Sequence, residues 1–119
     1  MRHRQTRVFL ALAWHELGHM LGINRYANEH NWILDQSSFT NHMEILQRFN
    51  PQGIISQLAK FSTDLIEAVD TAHVPTVELC DSVPARKVPR VMPDEEADGA
   101  LAAAHLIERG YTHCVFFGY

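Results

Sequence analysis

Residues 7–19 read RVFLALAWHELGH and join the two strongest patterns in the chain. The run Val8–Ala13 is apolar without a break, which is typical of a strand buried on both faces of a sheet. From Leu17 to Ala27, apolar residues recur at helical spacing. The pattern predicts a strand followed by a helix, although an unbroken apolar run is also compatible with one long helix from Val8 to Ile23.

The same alternation continues along the chain. Further strands are predicted at Trp32–Leu34, from Ile54, at Thr76–Cys80 and at Cys114–Phe117, and further helices at Asn41–Phe49, after Ser62 and after Pro93. Strands that alternate with helices indicate a parallel sheet with right-handed crossovers. We therefore expect an α/β fold, an open parallel five-stranded sheet in the flavodoxin-like order with helices on both faces.

The last predicted helix has the clearest ends. Acidic residues follow Pro93 in its first turn, and Gly110 comes just after its last turn. A helix dipole favours acidic side chains at the start, and glycine favours the left-handed cap at the end. The sequence therefore predicts a helix from about Asp94 to Arg109, with the strand Cys114–Phe117 after it.

Length and composition are those of one ordinary globular domain. The 119 residues are 46% apolar and 20% charged, with a net charge of −4. This charge argues against a nucleic-acid-binding body. Three arginines, Arg2, Arg4 and Arg7, lie near the start. We interpret residues 1–6 as a solvated basic arm and residues 7–119 as a single α/β lobe.

The cysteine content and the apolar runs predict a cytoplasmic location. Cys80 and Cys114 form neither a disulfide framework nor a CxxC pair, and they are interpreted as buried thiols in a reducing compartment. No signal peptide is recognised, and the apolar run Val8–Trp14 is too short to cross a membrane.

One motif points to metal chemistry. His15, Glu16 and His19 form HExxH, which resembles the zinc-binding helix of metallopeptidases. On one helix the two imidazoles would reach one zinc ion, and Glu16 would act as the general base. The third histidine of the extended pattern would fall on Arg25, which cannot bind zinc. A zinc metallopeptidase is therefore the alternative hypothesis, not the first one.

A longer resemblance covers nearly all of residues 7–119. RVFLALAW, GINRYANEHNWIL, NPQGIIS, AHVPTVEL and VPRVMPDEEADGALAAAHLIERGYTHCVFFGY follow one another in the order of the effector-sensing domain of LacI-type transcription regulators. The chain looks closest to the branch of the xylose operon regulators. The last segment is the most specific, with Asp94, His105, Leu106, Gly110 and Gly118 at the family's positions.

The resemblance implies the first lobe of a type I periplasmic-binding-protein fold, without the second lobe and without the helix-turn-helix domain. It implies a non-catalytic sugar sensor that needs no cofactor, forms a homodimer and reaches DNA only through the missing domain. The residues expected to bind the sugar are Trp14, His15, Glu16, Asp81 and Tyr119. A third hypothesis is a lobe that has lost ligand binding and serves only dimerisation.

Overall fold

A computed structural model describes residues 5–36 and 41–118. The strands are β1 (Thr6–Leu12), β2 (Trp32–Gln36), β3 (Gly53–Gln57) and β4 (Thr76–Glu78). The helices are α1 (Leu17–Glu29), α2 (His42–Phe49), α3 (Thr63–Ala72) and α4 (Glu95–Glu108). Within these residues, no helix has the length and apolar character needed to cross a membrane.

The four strands form one parallel sheet in the order β2-β1-β3-β4. Thr6 of β1 is in register with Trp32 of β2, and Val8 of β1 is in register with Gly53 of β3. The predicted parallel α/β class is therefore confirmed, and the order agrees with the flavodoxin-like order over these four strands. Since Thr6 already pairs with β2, the sheet begins inside the segment that the sequence assigns to the basic arm.

Helices cover both faces of the sheet, as the sequence predicted. On one face, Val8, Leu10 and Leu12 of β1 pack against Met20 and Ile23 of α1. On the opposite face, a second cluster joins β1 and β3 to the helices α2 and α3. Its buried members are Phe9, Ala11, Leu46, Ile54, Leu58, Leu65, Ala68 and Val69. Alternate residues of β1 therefore serve two separate cores.

A buried carboxylate closes the β4 side of the sheet. Glu78 is 2% exposed, and its Oε1 accepts from Ser56 Oγ at 2.6 Å and from Arg86 Nη1 at 3.3 Å. Its Oε2 accepts from the backbone N–H of Leu58 at 3.0 Å and from Cys80 Sγ at 3.0 Å. Burial and the hydrogen bond to Glu78 raise the pKa of the Cys80 thiol, so Cys80 stays a donor.

The loop after β4 folds back along the outer edge of that strand. Glu78 N donates to Pro89 O, and Val91 N donates to Glu78 O, both at 2.9 Å, which makes one parallel bridge between Glu78 and Arg90. Arg90 also donates to the carbonyl of Cys80. The edge that a further strand would use is therefore already occupied at Glu78.

The predicted fifth strand is not formed in the structure. Cys114–Phe117 adopts no strand, and Phe116 and Phe117 are 93% and 96% exposed rather than packed on opposite faces of the sheet. Cys114 is exposed as well, in contrast to the buried thiol that the sequence suggested. The physical reason is that the loop at Arg90 occupies the adjoining sheet edge and the preceding helix does not pack on the sheet.

That preceding helix has the predicted ends but not the predicted packing. The Asp94 carboxylate accepts from Ala97 N at 3.0 Å, and Gly110 adopts a positive φ of 83°. However, α4 has no buried residue, and every described residue from Val91 onward is exposed. Helix propensity and capping therefore fix α4 locally, while no described part of the lobe covers its apolar side chains.

Removing the buried carboxylate tests what holds the β4 edge. We expect Glu78→Ala to lower the free energy of unfolding by about 3–5 kcal/mol, because Arg86 and three further donors lose their buried acceptor. Urea unfolding followed by circular dichroism measures this change. Glu67→Ala, on the exposed side of α3, is the matched control and is expected to shift it by about 0.5 kcal/mol or less. Equal effects of the two variants would contradict the assignment.

Candidate ligand-binding site

The carboxyl ends of β1, β2 and β3 meet at one edge of the sheet, and the HELGH segment crosses this edge. Strand β1 ends at Leu12, Glu16 has extended backbone angles (φ −116°, ψ 128°), and α1 begins at Leu17. His15 and Glu16 therefore precede the helix, and only His19 lies within it. The single helical turn that would place both imidazoles on one face is not formed.

The two histidines of the motif have different partners. His15 Nε2 lies 3.2 Å from Gln36 Oε1, at the end of β2. His19 Nδ1 lies 3.4 Å from the Glu16 carboxylate. Across residues 5–36 and 41–118, no group of three or more His, Cys, Asp or Glu side chains is arranged to hold a metal ion. This arrangement gives the zinc metallopeptidase hypothesis no geometric support.

Glu16 is held by neighbours on the α1 side of the edge. Its Oε1 accepts from Trp14 Nε1 at 3.0 Å and from Gln57 Nε2 at 3.3 Å. The hydrogen bond from Trp14 is the main reason that the pKa of Glu16 is lowered from its ordinary value of 4.5, and His19 lowers it further. The indole N–H of Trp14 therefore has its hydrogen-bond acceptor in Glu16. The Glu16 side chain is half exposed to solvent.

On the other side of the same edge lies a cavity of about 420 Å³. Residues that follow β1, β2 and β3 and residues that begin α2 and α3 form its wall. They are Leu12, Ala13, His15, Gln36, His42, Phe61, Ser62, Thr63, Asp64 and Leu65. The volume falls in the range of small-molecule sites, and the wall combines hydrogen-bonding groups with apolar ones.

Two polar side chains of this wall, Ser62 and His42, have hydrogen-bonding capacity that the described residues do not use. The Ser62 side chain, which the sequence offered as a helix cap, makes no capping hydrogen bond to α3. His42 Nδ1 is buried and has no hydrogen-bond partner within the described parts of the chain. Phe61 is 82% exposed beside them. A ligand with several hydroxyl groups and an apolar ring face matches this combination, because hydroxyls both donate and accept.

Of the four predicted sugar-binding residues that the structure describes, only His15 lines the cavity. Trp14 and Glu16 lie at the predicted strand–helix junction, but Trp14 donates to Glu16, and Glu16 also accepts from Gln57. Asp81 follows β4 and is exposed, outside the cavity wall. Tyr119 lies outside the described residues.

Most of the cavity wall was not predicted from the sequence. Gln36 ends β2, His42 begins α2, Phe61 and Ser62 directly precede α3, and Thr63 and Asp64 begin it. The available signal was positional, since ligands of open parallel sheets bind beyond the carboxyl ends of the strands. Gln36 satisfies this rule, because it is the last residue of β2.

No family model matches the chain, and the curated proteins contain no significant match to it.

The hydrogen bond from Trp14 to Glu16 is testable by titration. We expect Trp14→Phe to raise the pKa of Glu16 toward its ordinary value, because the strongest stabilising donor of the carboxylate is lost. Carbon-detected NMR of the side-chain carboxyl group measures this pKa. Since folding lowers the pKa, the ionised group stabilises the fold above pH 4.5, and this contribution is lost as the pH falls through the folded value.

The control for this titration is Trp32→Phe. That variant removes the other tryptophan, which stacks edge-on against Tyr26 and does not bond to Glu16. An unchanged Glu16 titration in Trp14→Phe, or an equal rise in both variants, would show that the indole of Trp14 does not hold the carboxylate.

Proposed function

We propose that this chain carries the first, non-catalytic lobe of a cytoplasmic, sugar-responsive transcription regulator of the LacI type. The observation that supports the proposal is the position of the cavity. It lies where the chain turns from β1 and β2 on one side to β3 and β4 on the other. This reversal of strand order is the usual ligand site of open α/β sheets.

The chemistry of the wall favours a neutral polyhydroxylated ligand. Gln36, His15 and Ser62 offer both donors and acceptors, which suits hydroxyl groups that need both. Phe61 provides an apolar ring beside these groups. The cavity therefore fits a monosaccharide in size and in polarity.

The resemblance supplies the mechanism that we propose for the complete regulator. A sugar would bind between this lobe and a second lobe, and closure would change the geometry of a homodimer and hence its affinity for DNA. DNA would be contacted only by a separate helix-turn-helix domain. Because one lobe covers only part of a ligand, we expect weak binding by this chain alone, with a Kd of roughly 1 mM.

The proposed sensor lobe has a fifth position in its sheet, next to β4. The segment around Arg90 runs parallel to β4 and bonds to both the N–H and the carbonyl of Glu78. We propose that this short segment takes the fifth place in the sheet of the sensor lobe, instead of Cys114–Phe117. The packed lobe would then extend from β1 to about Val91.

The zinc metallopeptidase is distinguished from this proposal by metal analysis. A sensor lobe is expected to bind less than stoichiometric zinc and to cleave no peptide. Stoichiometric zinc with a peptidase activity that Glu16→Gln abolishes would overturn the sensor proposal, since Glu16 is the base that the motif requires.

Direct binding tests the cavity. We expect chemical-shift changes on titration with pentoses and hexoses to centre on the cavity wall. His15→Ala and Gln36→Ala should each weaken the binding of the tightest sugar about fivefold, because each removes a polar contact worth about 1 kcal/mol. Gln47→Ala, on α2 and outside this cavity, is the matched control with unchanged affinity.

Two results would reject the sugar site. One is the absence of any shift change at the cavity with all sugars at about 50 mM, a concentration well above the expected Kd. The other is equal weakening by Gln47→Ala and Gln36→Ala, which would show that the measured binding is not located in the cavity.

A further inference from the structure

Both backbone polar groups of Leu58 are held by side chains from the β4 side of the sheet. Leu58 directly follows β3, and its N–H donates to Glu78 Oε2 at 3.0 Å. Its carbonyl oxygen lies 3.4 Å from Cys80 Sγ, and the same thiol lies 3.0 Å from Glu78 Oε2, so one S–H serves two neighbouring acceptors. Where the chain leaves β3, its position is therefore set by a carboxylate and a thiol.

Cys80 is itself fixed by its backbone. Leu79 N donates to Ser56 O at 2.8 Å, which extends the contact between the two strands up to the residue before Cys80, and the Cys80 carbonyl accepts from Arg90 Nη1. Burial and the hydrogen bond to Glu78 raise the pKa of the Cys80 thiol, so the thiol keeps its proton at neutral pH. The S–H is therefore a donor of defined position rather than a reactive thiolate.

The residues after Leu58 lead directly into the cavity wall. Leu58 and Ala59 are 1% and 6% exposed, and Ser62 N donates to Ala59 O at 2.9 Å, which closes a turn over residues 59–62. Phe61 and Ser62 of this turn line the cavity. Because the Phe61 side chain is 82% exposed, packing contributes little to its position, which the backbone on either side must set.

The far end of this turn is tied to the same carboxylate. The turn is followed by α3, and Asp70 Oδ1 on α3 accepts from Arg86 Nη2 at 2.9 Å. Arg86 Nη1 donates to Glu78 Oε1 at 3.3 Å, and the Arg86 side chain is 10% exposed. Both ends of the turn are therefore linked to Glu78, but only the end at Leu58 depends on Cys80.

We propose that Cys80 is a positioning residue of the cavity: its S–H, shared between Glu78 and the Leu58 carbonyl, sets where Phe61 and Ser62 stand in the wall. Cys80 is not among the residues of that wall, so it acts on a ligand only through the turn. Loss of the S–H would remove one of the bonds that hold Leu58 and would loosen the turn at its buried end. The effect on sugar affinity rests on the proposed function, whereas the placement of the turn is measurable without a ligand.

Amide hydrogen exchange of the unliganded chain, followed by NMR, tests the placement of the turn. In Cys80→Ala, we expect exchange at the amides of Leu58 and Ser62 to become about fivefold faster, because one hydrogen bond that holds the turn is lost. The amide of Ile54, which donates to Pro75 O within the sheet, reports opening of the whole lobe and should exchange at its original rate. Equal acceleration at all three amides would show a general loss of stability and would overturn the proposal.

Two further variants separate the donor from the shape of the side chain. Cys80→Ser keeps a hydroxyl donor at the same position and should keep slow exchange at Leu58. Cys114→Ala makes the same chemical change as Cys80→Ala at an exposed cysteine and is the matched control with unchanged rates. Exchange that stays slow in Cys80→Ala, becomes equally fast in Cys80→Ser, or accelerates equally in Cys114→Ala would reject the role of the thiol.

Sugar affinity then shows whether Cys80 acts through the turn. For the pentose or hexose that the chain binds most tightly, we expect Cys80→Ala to weaken binding about fivefold and Cys80→Ser to retain it. The effect of Cys80→Ala should become smaller when Phe61→Ala is already present and should stay the same beside His15→Ala, because only Phe61 belongs to the turn. Equal effects in the two backgrounds would contradict positioning through Phe61.

The two measurements separate the role of Cys80 from the proposed function. If the unaltered chain binds no pentose or hexose, the proposed function is wrong, and the exchange rates alone decide whether Cys80 places the turn. If a sugar binds in the cavity but Cys80→Ala changes neither the exchange rates nor the affinity, the proposed function stands and the role of Cys80 is rejected.

Discussion

Strand β1 lies between β2 and β3, and its residues Val8–Leu12 are buried without interruption. A strand in that position has neighbours on both edges and must be covered on both faces. This requirement places α1 on one face and α2 with α3 on the other. It also places the end of β1 at the middle of the sheet edge, where the chain must leave the core and where the polar residues His15 and Glu16 follow.

The β4 side of the sheet is closed by polar contacts instead of a strand. The Glu78 carboxylate is buried with four donors, and its backbone bonds to the loop around Arg90. Arg86 links the same carboxylate to Asp70 on α3. These hydrogen bonds hold the loop after β4 against the sheet edge, and every described residue beyond this loop, including those of α4, is exposed.

The separation of α4 gives the chain two surfaces with different physical character. The cavity at the carboxyl edge is lined by polar and apolar side chains together, and the ligand that we propose for it is a small hydroxylated molecule. Helix α4 has no buried residue, and its side chains Leu101 and Ile107 are exposed.

The sequence by itself determined the local elements and the parallel α/β class. The apolar run Val8–Ala13 predicted β1, and the acidic first turn with Gly110 predicted α4, because periodicity and capping act over a few residues. Only the tertiary structure decided that HELGH lies half outside a helix, that Gln36 and His42 line the cavity, and that Arg90 occupies the edge intended for Cys114–Phe117. These outcomes depend on contacts between residues far apart in the chain, which no local pattern encodes.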